Sequence, residues 1–511
     1  MSICSVIQKN GRILLSLVLG SLLLGGCFND QNEEFASSQE PERGTLRLAH
    51  SLGWGGNESA DPGSGTPYED VSMLVYNRLL KLDASANLVP VLAQSWSANA
   101  DASDWTFILQ DDVRFHDGKL LTAADVKFTF ERIIDPAQGS PLAPIFSMLE
   151  SVEVVDDQTA LFHLAQTSVD FPLLLTDRRM SILSSTAEIG VGTGPFQIEI
   201  FDPKNTTRLV AFDDYWEGKP KLAAIESIAI PESNGRIAAL EAGELHFLGG
   251  MAPDESLAFV GRDDFAVQSI PTGDWRGIVF RTDISPFDDA RVRKALRLVV
   301  DRQAMIDFIT NGDAGAVIAC DSPVWTGDQY YDSVTCEQDI EQAKALLAEA
   351  GYADGLEITL TTSDLDAYWR PMAEIYQFQA ASAGIRVNIV EAPSDGYWND
   401  VWMVEPAVTT AWLERSAGQV LAEAFLSTAT YNETFWSNAQ FDALLEQAGS
   451  TLDEDERVKI YGEVQQLLRE EGGALIPFHL KRGRVMSSRL SGVDPVNRFA
   501  IAWHEVYLDE E

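Results

Sequence analysis

Clear signals for strand, turn and helix follow one another in WTFILQDDVRFHDGKLLTAADVKFTFER, Trp105–Arg132. Its first six residues are rich in aromatic and branched side chains, which favours a strand, and the Asp and Gly residues around VRFH predict turns. Thr122 stands three residues before Asp125, the spacing of a helix N-cap, and an apolar face then repeats through Phe130. The stretch therefore predicts a strand, two turns and a helix over Thr122–Ile134.

Strands and helices also alternate in the second half of the chain. LEITLTT (Leu356–Thr362) and IRVNIVE (Ile385–Glu391) have the composition of strands, and a helix is expected between them over Arg370–Ala383. A strand, a helix and a strand at this spacing predict a βαβ unit in a parallel or mixed sheet. Further helices are expected over Val71–Leu80 and over Asp453–Glu471, the latter with Val458, Tyr461, Val464 and Leu468 facing inward.

Size and charge narrow the class of protein. The chain has 511 residues, of which 45% are hydrophobic, so it should form two or more lobes around separate cores. Its 78 acidic and 37 basic side chains give a formal net charge of −41. Such a surface repels phosphate backbones, so nucleic acid is excluded as a partner.

The N-terminus has the pattern of an export signal. Lys9 and Arg12 precede the apolar run Ile13–Gly26, which is too short for a membrane span and ends in small residues. The run stops at Cys27, and LGGC resembles the bacterial lipobox, which implies a lipidated cysteine. The alternative is an ordinary signal peptide with an incidental cysteine. The acidic segment that follows predicts a flexible tether.

Two further cysteines, Cys320 and Cys336, flank a loop rich in Asp, Gly, Ser and Pro. In an oxidising compartment they are expected to form a disulfide, with two free thiols as the alternative. Zinc is disfavoured because no histidine lies within metal spacing of either cysteine. We expect no metal site and no cofactor.

The Trp105–Arg132 block resembles the peptide/nickel/opine class of bacterial extracellular solute-binding proteins, the family 5 substrate-binding lipoproteins of ABC transporters. Its V-x-F-H-D-G and T-A-x-D-V parts match nearly throughout. Other matches follow in order along the chain: LVPVLAQSW (Leu88–Trp96), GTGPF (Gly192–Phe196), YWEGKP (Tyr215–Pro220), PFDDARVRKALRLVVDR (Pro286–Arg302) and AKALLAEAG (Ala343–Gly351).

The resemblance implies an α/β fold, a periplasmic-binding-protein-like bilobal clamp (type II, cluster C-like) with an additional domain in the first half. The implied parts are a lipoprotein signal peptide (1–26), a tether (27–43), lobe I (44–82, 191–270 and 482–511), an extra domain (83–190) and lobe II (271–481).

The resemblance also implies the function. A small polar solute, such as an oligopeptide or a peptide-like or opine-like compound, is captured between the lobes and delivered to an ABC importer permease. The protein is then a lipid-anchored monomer of the periplasm or cell envelope, and not an enzyme. The rivals are a nickel or metal-chelate binder, a receptor or chaperone, and a secreted hydrolase; the six scattered histidines favour neither nickel nor hydrolysis.

One segment carries the expected solute contacts. In peptide-binding members, a W-x-x-D motif supplies an aspartate that pairs with the α-amino group of the peptide. TTAWLERSAG (Thr409–Gly418) resembles this motif, but Arg415 replaces the aspartate and Glu414 stands beside it. A guanidinium in the cleft needs a carboxylate or phosphate partner, from the solute or from a nearby acidic side chain. The alternative is that Arg415 lies on the surface.

Aromatic residues in turn-rich segments are the other candidates, because their rings can stack on a sugar or a cation. For each of them, packing in the core is the alternative. Trp412 is the first choice, followed by Trp436 and Trp54. The full set is Trp54, Tyr397, Trp398, Trp402, Trp412, Tyr431 and Trp436.

Overall fold

The computed structural model describes residues 43–51, 56–83, 87–310, 315–493 and 501–509. The predicted signal peptide, the lipidation site Cys27, nearly all of the tether and the candidate Trp54 lie outside these residues. The boundaries of lobe I, the extra domain and lobe II remain predictions.

Strands and helices alternate along most of the described chain. The strands are β1 Thr45–His50, β2 Leu80–Leu82, β3 Leu88–Pro90, β4 Ala93–Ala98, β5 Asp104–Leu109, β6 Leu149–Asp156, β7 Thr159–Leu164, β8 Phe196–Ile200, β9 Thr206–Ala211, β10 Ala224–Ala229, β11 Phe247–Met251, β12 Phe265–Phe280, β13 Ala316–Ile318, β14 Leu356–Ser363, β15 Ile385–Ala392, β16 Ala407–Trp412, β17 Ala474–Ser487, β18 Leu490–Ser491 and β19 Tyr507–Leu508. The helices are α1 Glu69–Val75, α2 Ala123–Ile134, α3 Phe171–Leu174, α4 Ser233–Glu241, α5 Pro253–Leu257, α6 Ala290–Leu298, α7 Arg302–Ile309, α8 Ile340–Glu349, α9 Trp369–Ala380, α10 Tyr397–Asp400, α11 Ala417–Phe425, α12 Ala439–Ser450 and α13 Glu454–Glu471.

The helix predicted over Thr122–Ile134 is confirmed as α2. The backbone N–H of Thr122 donates to the Asp125 carboxylate at 2.9 Å, as the capping pattern predicted. Val126, Phe130 and Ile133 are at most 4% exposed and pack on the antiparallel sheet β4-β5-β7-β6. The extra domain thus has its own core, in which Phe130 lies edge-on to Phe162 at 5.0 Å between ring centroids.

A single large sheet runs through both lobes in the order β15-β14-β16-β12-β17-β11-β1-β10-β9-β8. The short strand β13 also pairs with β17, along the half of that strand that β11 does not cover. Its centre is the antiparallel pair β12 and β17, which are 16 and 14 residues long. One half of this pair is flanked by the lobe I strand β11, and the other half by the lobe II strand β16. These two long strands therefore form the passage between the lobes.

The register of the passage shifts at one place. Pro271 pairs with Lys481, but Trp275 pairs with His479, so β12 carries extra residues between the two pairs. Such a bulge bends a strand and weakens its ladder locally. We call the segment Pro271–Trp275, together with Arg482, which pairs with the preceding Ile270, the hinge.

The expected βαβ unit is confirmed. β14 and β15 are parallel and in register from Leu356 opposite Ile385, and α9 packs against both strands. Helices cover lobe II on both faces of its sheet, with α6 to α9 around one core and α11 to α13 around the other. The outer strands β14 and β15 are the exception, because Glu357, Arg386 and Asn388 are exposed on the face that α9 does not cover.

Two expectations from periodicity are wrong. The helix predicted over Val71–Leu80 ends at Val75, because the backbone N–H of Gly194 takes the Val75 carbonyl at 2.9 Å and strand β2 begins at Leu80. In α13, Val458 is 43% exposed rather than buried, and Ile460 takes its place in the core beside Tyr461.

A disulfide and two hydrogen bonds join separate segments of the chain. Cys320 and Cys336 are joined by a disulfide. The segment before α3 contacts lobe II, because the N–H of Val169 donates to the carbonyl of Gly449 at 3.0 Å and the Tyr461 hydroxyl donates to Asp170 at 2.8 Å. The extra domain therefore touches lobe II at a place other than the hinge.

Candidate functional site

The strand ends of both lobes point towards the hinge. In lobe I the parallel strands β1 and β11 run towards Met251, which pairs with Gly483 beside Arg482. In lobe II the parallel strands β14 and β16 run towards Trp412, which pairs with Trp275. In open α/β sheets, solutes bind outside the carboxyl ends of the strands. The candidate site is therefore the cleft that these two edges line.

The segment after β16 is bonded directly to the hinge. The backbone N–H of Gly273 donates to the Glu414 carboxylate at 2.9 Å, and the N–H of Glu414 donates to the Asp274 carboxylate at 2.9 Å. Asp274 is 7% exposed and also accepts from the Arg482 guanidinium at 2.6 Å. A side chain added at Gly273 would lie 2.7 Å from Glu414, so only glycine leaves room for this contact.

Arg415 has a partner within lobe II. Its Nε donates to the Glu423 carboxylate on α11 at 3.2 Å, and its Nη1 donates to the carbonyl of Glu414 at 3.1 Å. The side chains of Arg415 and Glu423 are each 31% exposed. The guanidinium is thus neither deeply buried nor wholly on the surface, and its remaining donors stay accessible to a solute.

Four rings form a continuous row at this edge of lobe II, which we call the aromatic wall: Trp398, Trp402, Tyr431 and Trp412. Their ring centroids are 5.6, 6.1 and 6.5 Å apart in that order. Trp398 is 45% and Tyr431 is 52% exposed, which is unusual for such large rings. The wall continues into the protein through Trp275, which stacks on Trp412 at 6.2 Å.

A buried carboxylate holds the wall in place. Glu433 is 2% exposed and accepts hydrogen bonds from Trp412 Nε1 at 2.8 Å, from Thr410 Oγ1 at 2.7 Å and from Trp402 Nε1. Burial raises the pKa of Glu433, and the three donors oppose that rise. Sequence periodicity did not indicate a role for Glu433, because this residue comes to lie beside β16 only in the folded chain.

Two aromatic candidates are placed elsewhere. Trp436 is 4% exposed and packs edge-on against Phe441 in the core of lobe II. Tyr397 is 1% exposed, and its hydroxyl donates to the carbonyl of Thr409 at 2.8 Å. Neither ring can touch a solute in this conformation. Both rings instead match the alternative prediction, which was packing in the core. Trp54 lies outside the described residues.

The lobe I edge is built from mutually bonded polar groups. The Tyr68 hydroxyl lies 2.8 Å from His50 Nδ1 and donates to Ser227 Oγ at 3.0 Å. Ser227 in turn donates to the Asp70 carboxylate at 2.6 Å. Tyr68 is 3% exposed, and burial raises its pKa far above the usual range. This cluster was not predicted from the sequence.

His116 has a structural role in the described chain. Its Nε2 lies 3.0 Å from the carbonyl of Gly194, and the N–H of Gly192 lies 3.3 Å from its Nδ1, while burial lowers its pKa to about 4. Among the described residues, no cluster of three His, Cys, Asp or Glu side chains could hold a metal ion. Within the same part of the chain, no helix is long and apolar enough to cross a membrane.

A separate pocket with a cavity volume of about 70 Å³ is lined mainly by lobe I, with Val91 and Arg178 from the extra domain, and none of the hinge residues lines it. Its lining includes Tyr76, Arg78, Lys81, Tyr215 and Trp503.

Comparison with known proteins agrees with this architecture. The chain is 29% identical over 481 residues to heme-binding protein A of Haemophilus influenzae, covering 84% of this chain and 86% of that protein. It is 26% identical over 540 residues to the dipeptide-binding protein of Escherichia coli strain K12, covering 96% and 98%. It is 28% identical over 424 residues to the glutathione-binding protein of Salmonella typhi, covering 78% and 82%.

Solved structures share the fold. An ABC transporter substrate-binding protein of Listeria monocytogenes superposes with a TM-score of 0.81 at 22% identity, covering 92% of this chain and 100% of that one. HbpA2 of Haemophilus parasuis superposes with a TM-score of 0.80 at 24% identity, covering 91% of this chain and 100% of that one. The expected α/β bilobal clamp is thereby confirmed. The sequence signature described as bacterial extracellular solute-binding proteins, family 5 (middle part), matches residues 87–457, and the chain belongs to this family.

Proposed function

We propose that the chain captures a small polar, peptide-like solute in the cleft at the hinge and delivers it to the permease of an ABC importer. It works as a monomer without a cofactor in the cell envelope, held to a membrane by lipid on Cys27, and it binds its solute without chemically changing it. Membership in the solute-binding family supports the transport role. The names of the dipeptide- and glutathione-binding relatives support a peptide-like solute.

The observation that carries the proposal is the direct bonding of the candidate site to the hinge. Glu414 bonds to Gly273 and Asp274, and Asp274 bonds to Arg482 on the other long strand. A solute that contacts Trp412 or Arg415 therefore acts on the residues about which the lobes turn. Closure follows when the solute binds the closed arrangement more tightly than the open one.

Arg415 narrows the class of solute. Its guanidinium has accessible donors, and the bidentate geometry of arginine suits a carboxylate. The solute is therefore a peptide-like or opine-like compound that carries a carboxylate. A related structure solved with agropinic acid, at 23% identity, is an example of a similar fold that takes such a compound.

A thermal-shift screen of the purified chain tests the proposal. The panel contains di- to pentapeptides, opines, amino-sugar conjugates and nickel with free histidine. A solute at 100 times its Kd stabilises the folded chain by about 2.7 kcal/mol, which raises the melting temperature visibly. We expect a shift with peptide-like or opine-like compounds. A shift confined to nickel with histidine would replace the proposal with the metal-chelate alternative.

The role of Arg415 is tested with two matched variants. Arg415→Ala should weaken binding of carboxylate-bearing hits by roughly tenfold to a hundredfold, because a charge-assisted hydrogen bond contributes about 1.5–3 kcal/mol. Arg370→Ala is the control, since Arg370 is 57% exposed on α9 of the same lobe and pairs with Glu374. Equal affinities for the wild type and Arg415→Ala would contradict the assignment.

The lipid anchor is tested separately. Cells that express the full chain are labelled with an alkyne analogue of palmitate, and the label is expected on the wild type but not on Cys27→Ala. Retention of the label in Cys27→Ala would contradict the anchor and leave the solute proposal intact.

A further inference from the structure

The aromatic wall presents ring faces and not hydrogen-bond donors. The indole N–H groups of Trp402 and Trp412 both point at Glu433, so neither can donate to a solute. What remains accessible is the π surface of the two exposed rings, Trp398 and Tyr431, and the half-buried faces between them. The face of an aromatic ring carries the negative end of its quadrupole.

Glu433 adds a charge directly behind these rings. Both of its oxygens accept hydrogen bonds, Oε1 from Trp412 and Oε2 from Trp402 and Thr410, and these three bonds favour the ionised form against the burial that raises the pKa of the group. All three recorded donors are neutral groups, and among the described residues Glu433 has no ion pair with Lys, Arg or His. Its charge is therefore not cancelled by a cation of the protein.

The hydrogen bonds transmit this charge to the wall. Bonds in a chain polarise one another, so an indole that donates to a carboxylate becomes richer in electrons. The described residues place no Lys or Arg over any ring of the wall, although the chain makes such contacts elsewhere, as with Arg281 at 4.0 Å from the Phe435 ring centroid. The wall has the properties of a cation site with no cation of the protein in it.

We propose that the aromatic wall and Glu433 form a subsite for a cationic group of the solute, such as a guanidinium or an alkylammonium. A cation over ring faces is attracted by their quadrupoles and by the carboxylate behind them. This inference rests on the proposed function and deepens it. With Arg415 for the carboxylate, the solute is a dipolar peptide-like compound that carries a positive side chain.

The test compares two dipeptides that differ in charge and hardly in shape. Calorimetric titrations of the purified full chain use glycyl-arginine and glycyl-citrulline at low salt. We expect glycyl-arginine to bind at least about tenfold more tightly, since a desolvated cation–π contact contributes about 2 kcal/mol. Equal affinities would overturn the cationic subsite and leave the proposed function in place. If neither dipeptide binds at millimolar concentration, the cationic subsite is overturned, and the proposed function stands or falls with the thermal-shift screen.

Variants test whether the aromatic wall and Glu433 cause the preference for glycyl-arginine over glycyl-citrulline. Glu433→Gln removes the charge behind the wall and should reduce the arginine-to-citrulline ratio at least threefold. Because this buried change can impair folding, Tyr431→Leu and Tyr431→Phe serve as a second pair on an exposed ring. Tyr431→Leu should lower the arginine-to-citrulline affinity ratio, and Tyr431→Phe should leave this ratio unchanged.

Phe378→Leu removes an aromatic ring that is 77% exposed on α9 and should leave the ratio unchanged. A ratio that stays constant in Tyr431→Leu and in Glu433→Gln, or that falls equally in Phe378→Leu, would contradict the subsite.

Discussion

The two edges that face the cleft are built on different chemistry. At the lobe I edge, Tyr68, His50, Ser227 and Asp70 bond to one another, so their donors and acceptors are already used within the lobe. At the lobe II edge, the wall exposes Trp398 and Tyr431, and Arg415 keeps accessible donors. A satisfied polar cluster supports a structure, whereas exposed rings and open donors are available for contacts.

This difference assigns the two edges separate tasks. We propose that lobe I provides a fixed surface of the cleft, and that lobe II selects the solute and couples its binding to the hinge through Glu414 and Asp274.

Removal of the carboxylate behind the wall should have the largest effect on stability. Glu433→Ala leaves the donors of Trp402, Thr410 and Trp412 without their acceptor, and each orphaned buried donor costs about 1–3 kcal/mol. We expect the free energy of unfolding, measured by urea denaturation without solute, to fall by about 3 kcal/mol or more. A loss below about 0.5 kcal/mol, the size of an ordinary surface change, would contradict the role given to Glu433.

Acid should destabilise the hinge and the turn at His116. Burial lowers the pKa of His116 and of His479 to about 4, whereas an unfolded histidine takes up its proton near pH 6.5. Their stabilisation is complete above pH 6.5 and is lost as the pH falls through 4. Asp328 acts in the opposite direction, because burial raises its pKa to about 6, so protonation stabilises the fold below that pH.

His246 also has a pKa lowered to about 4, first of all by burial, so three histidines oppose the buried acids Asp328, Asp170 and Glu433, whose pKa values are raised by burial. We expect a net loss of roughly 2 kcal/mol or more between pH 7 and pH 4.5, measured by denaturation at several pH values. The loss should be smaller in His479→Gln. Stability that rises over this range would show that the acidic groups prevail instead.

Removal of the central ring of the site should weaken binding more than folding. Trp412→Phe keeps a ring at the end of β16 but loses the hydrogen bond to Glu433 and part of the contact surface. We expect affinity for the best solute of the screen to fall about tenfold, with a stability loss of about 1 kcal/mol. Trp436→Phe is the matched control in the core, since Trp436 is 4% exposed, and its affinity should not change.

The lobe I cluster should show the reverse pattern and the smallest effect. Tyr68→Phe removes the hydroxyl that bonds to Ser227 and should cost about 1 kcal/mol of stability. Its affinity for the solute should equal that of the wild type. A tenfold loss of affinity would mean that lobe I also recognises the solute, and the division between the edges would fail.

Local patterns in the sequence predicted much of the fold. The capped helix after Thr122 and the strands around α9 follow from periodicity and capping, which act over a few residues. Periodicity failed where a distant segment decided the outcome. Gly194 ends α1 by taking the carbonyl of Val75, and no pattern within the helix signals this contact.

The site was harder to predict for the same reason. Trp412 and Arg415 could be proposed from the sequence because they stand in a recognisable segment. Glu433 and Asp274 were not found, since they act only through partners that lie 21 and 140 residues away, Trp412 and Glu414. Composition could not separate Trp436 in the core from Trp398 on the surface, because both lie in turn-rich stretches.

Hydrogen exchange of the purified chain, with and without the best solute of the screen, distinguishes a site at the hinge from one in the lobe I pocket. We expect new protection at Trp412–Ser416 and at the hinge residues Gly273 and Asp274, with little change at the lobe I pocket around Arg78 and Tyr215. A solute that stabilises the chain while it protects the lobe I pocket, and leaves the hinge and the end of β16 unchanged, would contradict the account.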